Sequence, residues 1–136
     1  APVVALTAPV IALRDLPAGE SVSYLATWRA AAPRRIATVA CGYADGLPRA
    51  AGNRVVARLA GRPAPIVGTV TMDMTMLDVT DIPCALGDEV TLIGGDAASL
   101  ADVAAAVQRS PYELLTTLRL RAERRYAGAP AFEAAA

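Results

Sequence analysis

Short β-prone runs broken by turn signals dominate the first two-thirds of the chain. Val10 to Leu13 is an apolar run closed by Arg14-Asp15, and Pro17-Ala18-Gly19 reads as a turn, because proline fixes φ and glycine tolerates positive values. The opening APVVALTAPVIAL reads as a pair of strands. From Ser21 to Trp28 the residues alternate. Val22, Tyr24, Ala26 and Trp28 fall on one face and Ser21, Ser23, Leu25 and Thr27 on the other, which predicts a strand with one buried face. Ile36 to Cys41 is a more continuous β run, ending at Gly42, where the loop GYADGLPRAAGN begins. Arg54 to Leu59 and Pro65 to Val70 flank Ala60-Gly61-Arg62 and predict a hairpin. In TVTMDMTMLDVTDIP three methionines alternate at 72, 74 and 76, and a Gly87-Asp88 turn then leads into the strand Glu89 to Ile93.

The pattern changes at Gly94-Gly95. Ser99 with Asp102, then Ser110 with Pro111 and Glu113, are helix-start signatures, and they predict helices over about 100–108 and 111–118. Arg119 to Tyr126 carries four Arg against one Glu and reads as a returning strand, and residues 127–136 read as a frayed tail. Strands at short spacing without interleaved helices argue for an antiparallel barrel or sandwich with a helical appendix, occupying residues 1–126.

Composition narrows the chemistry. Of 136 residues, 13 are basic and 13 acidic, so no electrostatic footprint for nucleic acid or an anionic membrane exists. No apolar stretch approaches the length of a membrane-spanning helix, which predicts a soluble protein. Every basic residue is Arg. Schiff-base lysines, histidine bases and histidine ligands are therefore all excluded from this chain. Cys41 and Cys84 stand far apart, without zinc-site spacing, and read as buried, reduced thiols; no calcium-loop pattern occurs, so no metal site is expected. Numbering begins at Ala1 with no initiator Met, as expected of a processed or excised segment.

What remains is tyrosine, the Met72-Asp73 corner, the Asp45-Gly46 loop and the thiols. A phenol near neutrality accepts a proton only where cations favour phenolate, and Arg can supply them. The bland alternatives are plain. Tyr24 on an apolar strand face would be a core residue, Asp45-Gly46 a turn, the methionine stripe core packing, and Tyr112 a packing residue of a helix. Against them, polar residues inside TMDMT suit a loop whose backbone N–H groups face an anion, and Tyr112 sits in the first turn of a capped helix, where phosphate or carboxylate is favoured.

Six blocks in fixed order add specificity: PAGESVSY at 17–24, GYADGLPR at 42–49, APIVGTVTMDMT at 64–75, DVTD at 78–81, GDEVTLIG at 87–94 and YELL at 112–115. In this the chain resembles, from about Val3 to Tyr126, the C-terminal domain of bacterial alanine racemases, which use pyridoxal phosphate to interconvert L- and D-alanine for peptidoglycan. The resemblance implies a small closed Greek-key-type antiparallel barrel of about six strands with two short helices near the C-terminus. It implies that Tyr24 is the base on one face of the substrate Cα, that Tyr43 lines the active-site entrance, that Met72 offers its backbone N–H to the substrate carboxylate, and that Tyr112 bonds the cofactor phosphate. It also implies a cytoplasmic homodimer in which two subunits pair head to tail. The N-terminal (β/α)8 barrel of one meets this domain of the other, and the barrel supplies the cofactor-bearing lysine that serves the second face.

Inversion needs a proton carrier on each face. Tyr24 serves one, and a chain without lysine supplies no second, so this polypeptide alone is expected to be inactive. Two positions and one segment depart from the family pattern: Leu25 stands where Gly is usual, Thr71 where Ser or Cys is usual, and RLRAERRY replaces the usual ending. Two other readings are a non-catalytic binding or oligomerisation module built on the same barrel and a racemase for another amino acid.

Overall fold

The computed structural model describes residues 5–23 and 27–117. Within them run strands β1 (Leu6–Leu16), β2 (Arg34–Val39), β3 (Val56–Leu59), β4 (Arg62–Pro65), β5 (Thr75–Asp78) and β6 (Glu89–Ile93), then helices α1 (Leu100–Ala106) and α2 (Pro111–Thr117). The strands lie in the order β4-β3-β6-β1-β2-β5, every pair antiparallel. A bridge between Ile66 and Leu77, with Val67 N–H donating to Met76 O at 2.9 Å, joins the two outer edges. The sheet thereby curls into a nearly closed barrel with two helices after it, the expected fold.

Among the described residues the opening segment is one strand and not a pair. β1 is 11 residues long and changes partners midway: Leu6 to Pro9 pair with β6, and Val10 to Leu16 pair with β2. The register slips between Val10 and Ala12, leaving Ile11 unpaired and 48% exposed. Such a bulge adds twist and lets one strand serve both halves of a barrel.

The hairpin is tighter than its sequence suggests. Its turn is Ala60-Gly61 alone, at φ 52° and 72°, so the return strand starts at Arg62 and not at Pro65. Positive φ at both turn residues matches the twist of the flanking strands. This turn makes Leu59–Arg62 the hydrogen-bonded pair, which puts the nitrogens of Pro63 and Pro65 on the side facing away from β3. Proline there has no N–H to offer β5, and the barrel closes at that seam by a bridge instead of a ladder.

Ser21 to Trp28 is not a continuous strand. Its ends meet in a bridge between Ser21 and Arg29, and Ser23 turns to φ 64°. Val22 is nonetheless buried beside Leu16, Ile36 and Val67, with Trp28 packed against them, as the alternation implied. The main core fills the barrel, where Val10, Val39, Leu59, Leu77 and Leu92 come from five strands. Leu47, Val103 and Leu114 insert into the same core and fasten the loop after β2 and both helices to the barrel.

Both helix starts are as expected. Ser99 Oγ accepts from Asp102 N–H and Ser110 Oγ from Glu113 N–H, each at 3.1 Å. Helix α1 ends two residues early, at Ala106, and Gln108 adopts φ 58°. Cys41 is buried and Cys84 half-buried, and neither is in a disulfide. Burial pushes the Cys84 thiol above its ordinary pKa; Arg35 opposes this and Asp88 reinforces it. The strand expected over 119–126 and the tail over 127–136 lie outside the described residues.

Candidate active site

Two turns meet at the end of β2. Gly42 to Gly46 form a tight loop in which Asp45 N–H donates to Gly42 O at 3.0 Å and Gly46 N–H to Tyr43 O at 3.2 Å. Gly46 sits at φ 108°, which requires glycine. The Asp45 carboxylate is 8% exposed and accepts the Gly42 N–H at 3.0 Å, so the sequence Gly-Tyr-Ala-Asp-Gly folds back on itself. Asp45-Gly46 is thus a turn, as its residue types suggest, and one that presents Tyr43.

The second turn is Thr71 to Met74. Thr71 N–H donates to Met74 O at 3.0 Å, while Thr71 Oγ1 accepts from Met74 N–H at 3.1 Å. A hydroxyl at this position stabilises the corner itself, the local mimicry that Ser and Thr perform in turns. The corner also breaks the methionine alternation. Met76 packs on the smaller core cluster, whereas Met72 and Met74 are exposed and do not pack in the core.

Backbone bonds join the two turns. Tyr43 N–H donates to Thr71 O at 2.9 Å and Ala44 N–H to Met72 O at 3.0 Å. The approach is so close that a Cβ on Gly42 would lie 2.2 Å from Thr71 O and 2.4 Å from Met72 O. Beneath them, the buried Thr75 Oγ1 donates to Cys41 O at 2.6 Å and ties β5 to the start of the loop. Tyr43, 39% exposed, and Met72, 53% exposed, are therefore held on adjoining turns. Among the described residues the Met72 N–H donates to no acceptor, although its carbonyl is engaged.

The other two candidates stand differently. Tyr24 and Leu25 lie outside the described residues, but their neighbours Ser23 and Thr27 are both fixed to Thr69, two residues before Thr71. Tyr112 is the second residue of α2 and is 82% exposed, so it is not a packing residue. Its hydroxyl forms no hydrogen bond among the described residues. Buried Leu114 anchors that helix, and Thr117 Oγ1 approaches Gly46 O at 3.4 Å. Between helix and loop lies an open cleft of about 380 Å³ lined by Tyr43, Leu47, Pro48, Arg49, Arg109 and Thr117. Tyr112 is on the same helix as this lining without being part of it.

Sequence reasoning missed Asn53, Gly68 and Thr69. Asn53 sits at φ 62° and spans two loops, its Oδ1 accepting from Gly68 N–H at 2.7 Å and its Nδ2 donating to Thr27 Oγ1 at 3.1 Å. Gly52-Asn53 closes the loop GYADGLPRAAGN, but nothing in the sequence placed it opposite Thr27.

Comparison with known proteins accounts for these motifs together. The family model "Alanine racemase, C-terminal domain" matches residues 3–126. An alanine racemase of Laribacter hongkongensis is 47% identical over 129 residues, covering 94% of this chain and 36% of that protein. One from Stutzerimonas stutzeri is 48% identical over 128 residues, covering 93% and 36% respectively. Among solved structures, the biosynthetic alanine racemase of Pseudomonas aeruginosa superposes with a TM-score of 0.84 at 45% identity, over 90% of this chain and 34% of that one. The alanine racemase of Bartonella henselae with covalently bound pyridoxal phosphate also gives 0.84, at 35% identity and the same coverage. The chain spans about a third of the length of these relatives. No helix among the described residues is long and apolar enough to cross a membrane. With the family's barrel, its ordered motifs and these relatives in agreement, the chain belongs to the alanine racemase C-terminal domain family.

Proposed function

We propose that this chain is the substrate-facing C-terminal part of an enzyme that interconverts L- and D-alanine, in a site completed by an N-terminal (β/α)8 barrel domain and by a second subunit. The observation that carries this reading is the joint between two turns. It leaves the Met72 N–H without an acceptor among the described residues and sets it beside the exposed Tyr43. An amide fixed in a turn binds a carboxylate oxygen without reorganising, which is the condition for electrostatic orientation. In this reading Met72 N–H holds the alanine carboxylate, and Tyr43 walls the entrance and limits the side chain to a small group. Tyr24 holds and moves a proton at its phenol oxygen on one face of Cα.

The residues present fit pyridoxal phosphate in part. The Tyr112 phenol, exposed and without a hydrogen-bond partner among the described residues, suits a phosphate oxygen. The covalent attachment must come from elsewhere, since none of the 136 residues is lysine. When bound, the cofactor supplies the electron sink that acidifies the Cα–H. A non-catalytic module built on the same barrel would not need an unpaired carboxylate donor beside an entrance tyrosine.

The test uses the chain alone and joined to its N-terminal domain. The chain alone is expected to show no racemisation, and the joined enzyme to racemise alanine. In the joined enzyme Tyr24→Phe is expected to slow α-proton exchange from one enantiomer far more than from the other, with cofactor affinity little changed. Racemisation by the chain alone, or equal loss from both enantiomers, overturns the assignment.

A further inference from the structure

The peptide between Thr71 and Met72 is held at one end only. Its carbonyl accepts from Tyr43 N–H at 2.9 Å, while its N–H donates to nothing among the described residues. No described peptide is cis. In a planar trans unit the N–H points opposite to the C=O, so the bond to Tyr43 turns the Met72 N–H away from the loop at 42–44. An accepting carbonyl also polarises its own peptide, which makes that N–H a better donor.

Backbone bonds hold the neighbouring peptides. Ala44 N–H donates to Met72 O at 3.0 Å on one side, and Thr71 N–H to Met74 O at 3.0 Å on the other. What remains free is the closure of the corner, and the Thr71 hydroxyl takes it up by gripping one residue at both of its polar groups. Oγ1 donates to Met74 O at 3.0 Å and accepts from Met74 N–H at 3.1 Å. The N–H groups of Thr71 and Met74 are thereby engaged, and that of Met72 stays open. Removing the hydroxyl would release the Met74 N–H as a second donor, two residues away and differently directed, to compete for the same anion. Met74 is 37% exposed, so water can take up a released N–H and the fold loses little. The hydroxyl therefore governs direction more than stability.

We propose that Thr71 is a positioning residue for the substrate carboxylate: its hydroxyl closes the corner onto Met74 and so fixes the Met72 N–H as the donor aimed at a carboxylate oxygen. This rests on the reading of Met72 as the carboxylate donor, and Thr71 acts through that amide. A donor fixed before the ligand arrives spends nothing on reorganisation, whereas a corner free to rock must be ordered by every ligand it binds.

The experiment uses the full enzyme carrying this chain and compares two inhibitors. Propionate offers the carboxylate without the amine, and 2-aminopropan-1-ol keeps the amine without the carboxylate. Labelling threonine carbonyl carbon and methionine nitrogen lets NMR read the Met72 amide, identified by its loss in Met72→Leu, and propionate is expected to shift that signal in the unmodified enzyme. Thr71→Val, of the same shape without the hydroxyl, is expected to weaken propionate and to raise KM for both alanine enantiomers roughly tenfold, the value of one hydrogen bond to a charged group. Inhibition by 2-aminopropan-1-ol and thermal stability should be nearly unchanged, and Thr71→Ser should restore propionate binding. Should Thr71→Val fail to fold, Thr71→Ala against Thr71→Ser, a difference of one oxygen, decides the matter. Unchanged propionate affinity without the hydroxyl, or equal weakening of both inhibitors, overturns the role of Thr71 alone. A Met72 amide signal that propionate leaves in place sinks the reading beneath it as well.

Discussion

The chain turns in two ways, and glycine has a different task in each. At Gly19, Gly61 and Gly87 the backbone takes positive φ, and a Cβ would meet nothing within 4 Å. These turns need a conformation. At Gly42 and Gly52 a Cβ would run into carbonyl oxygens at 2.2 Å, and neither residue has positive φ. These turns need an absence, because another segment's backbone occupies the place of the side chain. The first kind reverses strands on the outside of the barrel. The second kind builds the site, joining 42–44 to 71–72 and 52–53 to 68–69.

The largest effect should follow from filling the second kind. Gly42→Ala puts a methyl group against the Thr71 and Met72 carbonyls, where no flexible side chain can yield, so the two turns must part. Overpacking of this kind costs about 3 kcal/mol, with a melting temperature lower by roughly 10 °C. Gly52→Ala, against Gly68 O, should fall in the same range. Denaturant unfolding checks both. A loss in either variant no larger than that of an exposed-turn substitution would show that the joint yields easily.

Next in size is the carboxylate that holds the first turn closed. Asp45→Ala leaves the buried Gly42 N–H without its acceptor, which should cost about 1–3 kcal/mol. Asp45→Asn keeps an acceptor oxygen and should recover most of that loss. If both variants are equally destabilised, charge and not the hydrogen bond holds the loop.

The same division explains what the sequence disclosed. Features set by neighbouring residues were legible: the Ser99 and Ser110 caps, the Gly46 turn and the hairpin at Gly61 all follow from side-chain types within four positions. Features set by distant segments were not. Ser23 leaves the strand conformation while its hydroxyl bonds Thr69 O, 46 residues on, and alternation carries no trace of that partner. The Asn53 brace spans 26 residues to Thr27 and 15 to Gly68. The length of β1 was hidden too, since a strand that exchanges β6 for β2 at a bulge looks in sequence like two strands. Met72 and Met74 were readable both as a core stripe and as a corner, and the Thr71 hydroxyl that decides for the corner is a turn signal only once its partner Met74 is placed.

The smallest effect should come from the exposed turns, and there it separates conformation from space. Gly61 is at φ 72° with open surroundings, so Gly61→Ala is charged only for left-handed backbone, about 1 kcal/mol. Its neighbour Ala60 already carries such a conformation at 52° in the native hairpin, so the turn can hold an alanine there without opening. Asparagine tolerates this region better than alanine, and Gly61→Asn should therefore be closer to neutral although its side chain is larger. That inversion, the bulkier residue being the milder, is expected at Gly61 and not at Gly42, where Gly42→Asn must be at least as damaging as Gly42→Ala. Equal ordering of alanine and asparagine at the two sites, measured by unfolding midpoints, would erase the distinction between turns that need a conformation and turns that need an empty place.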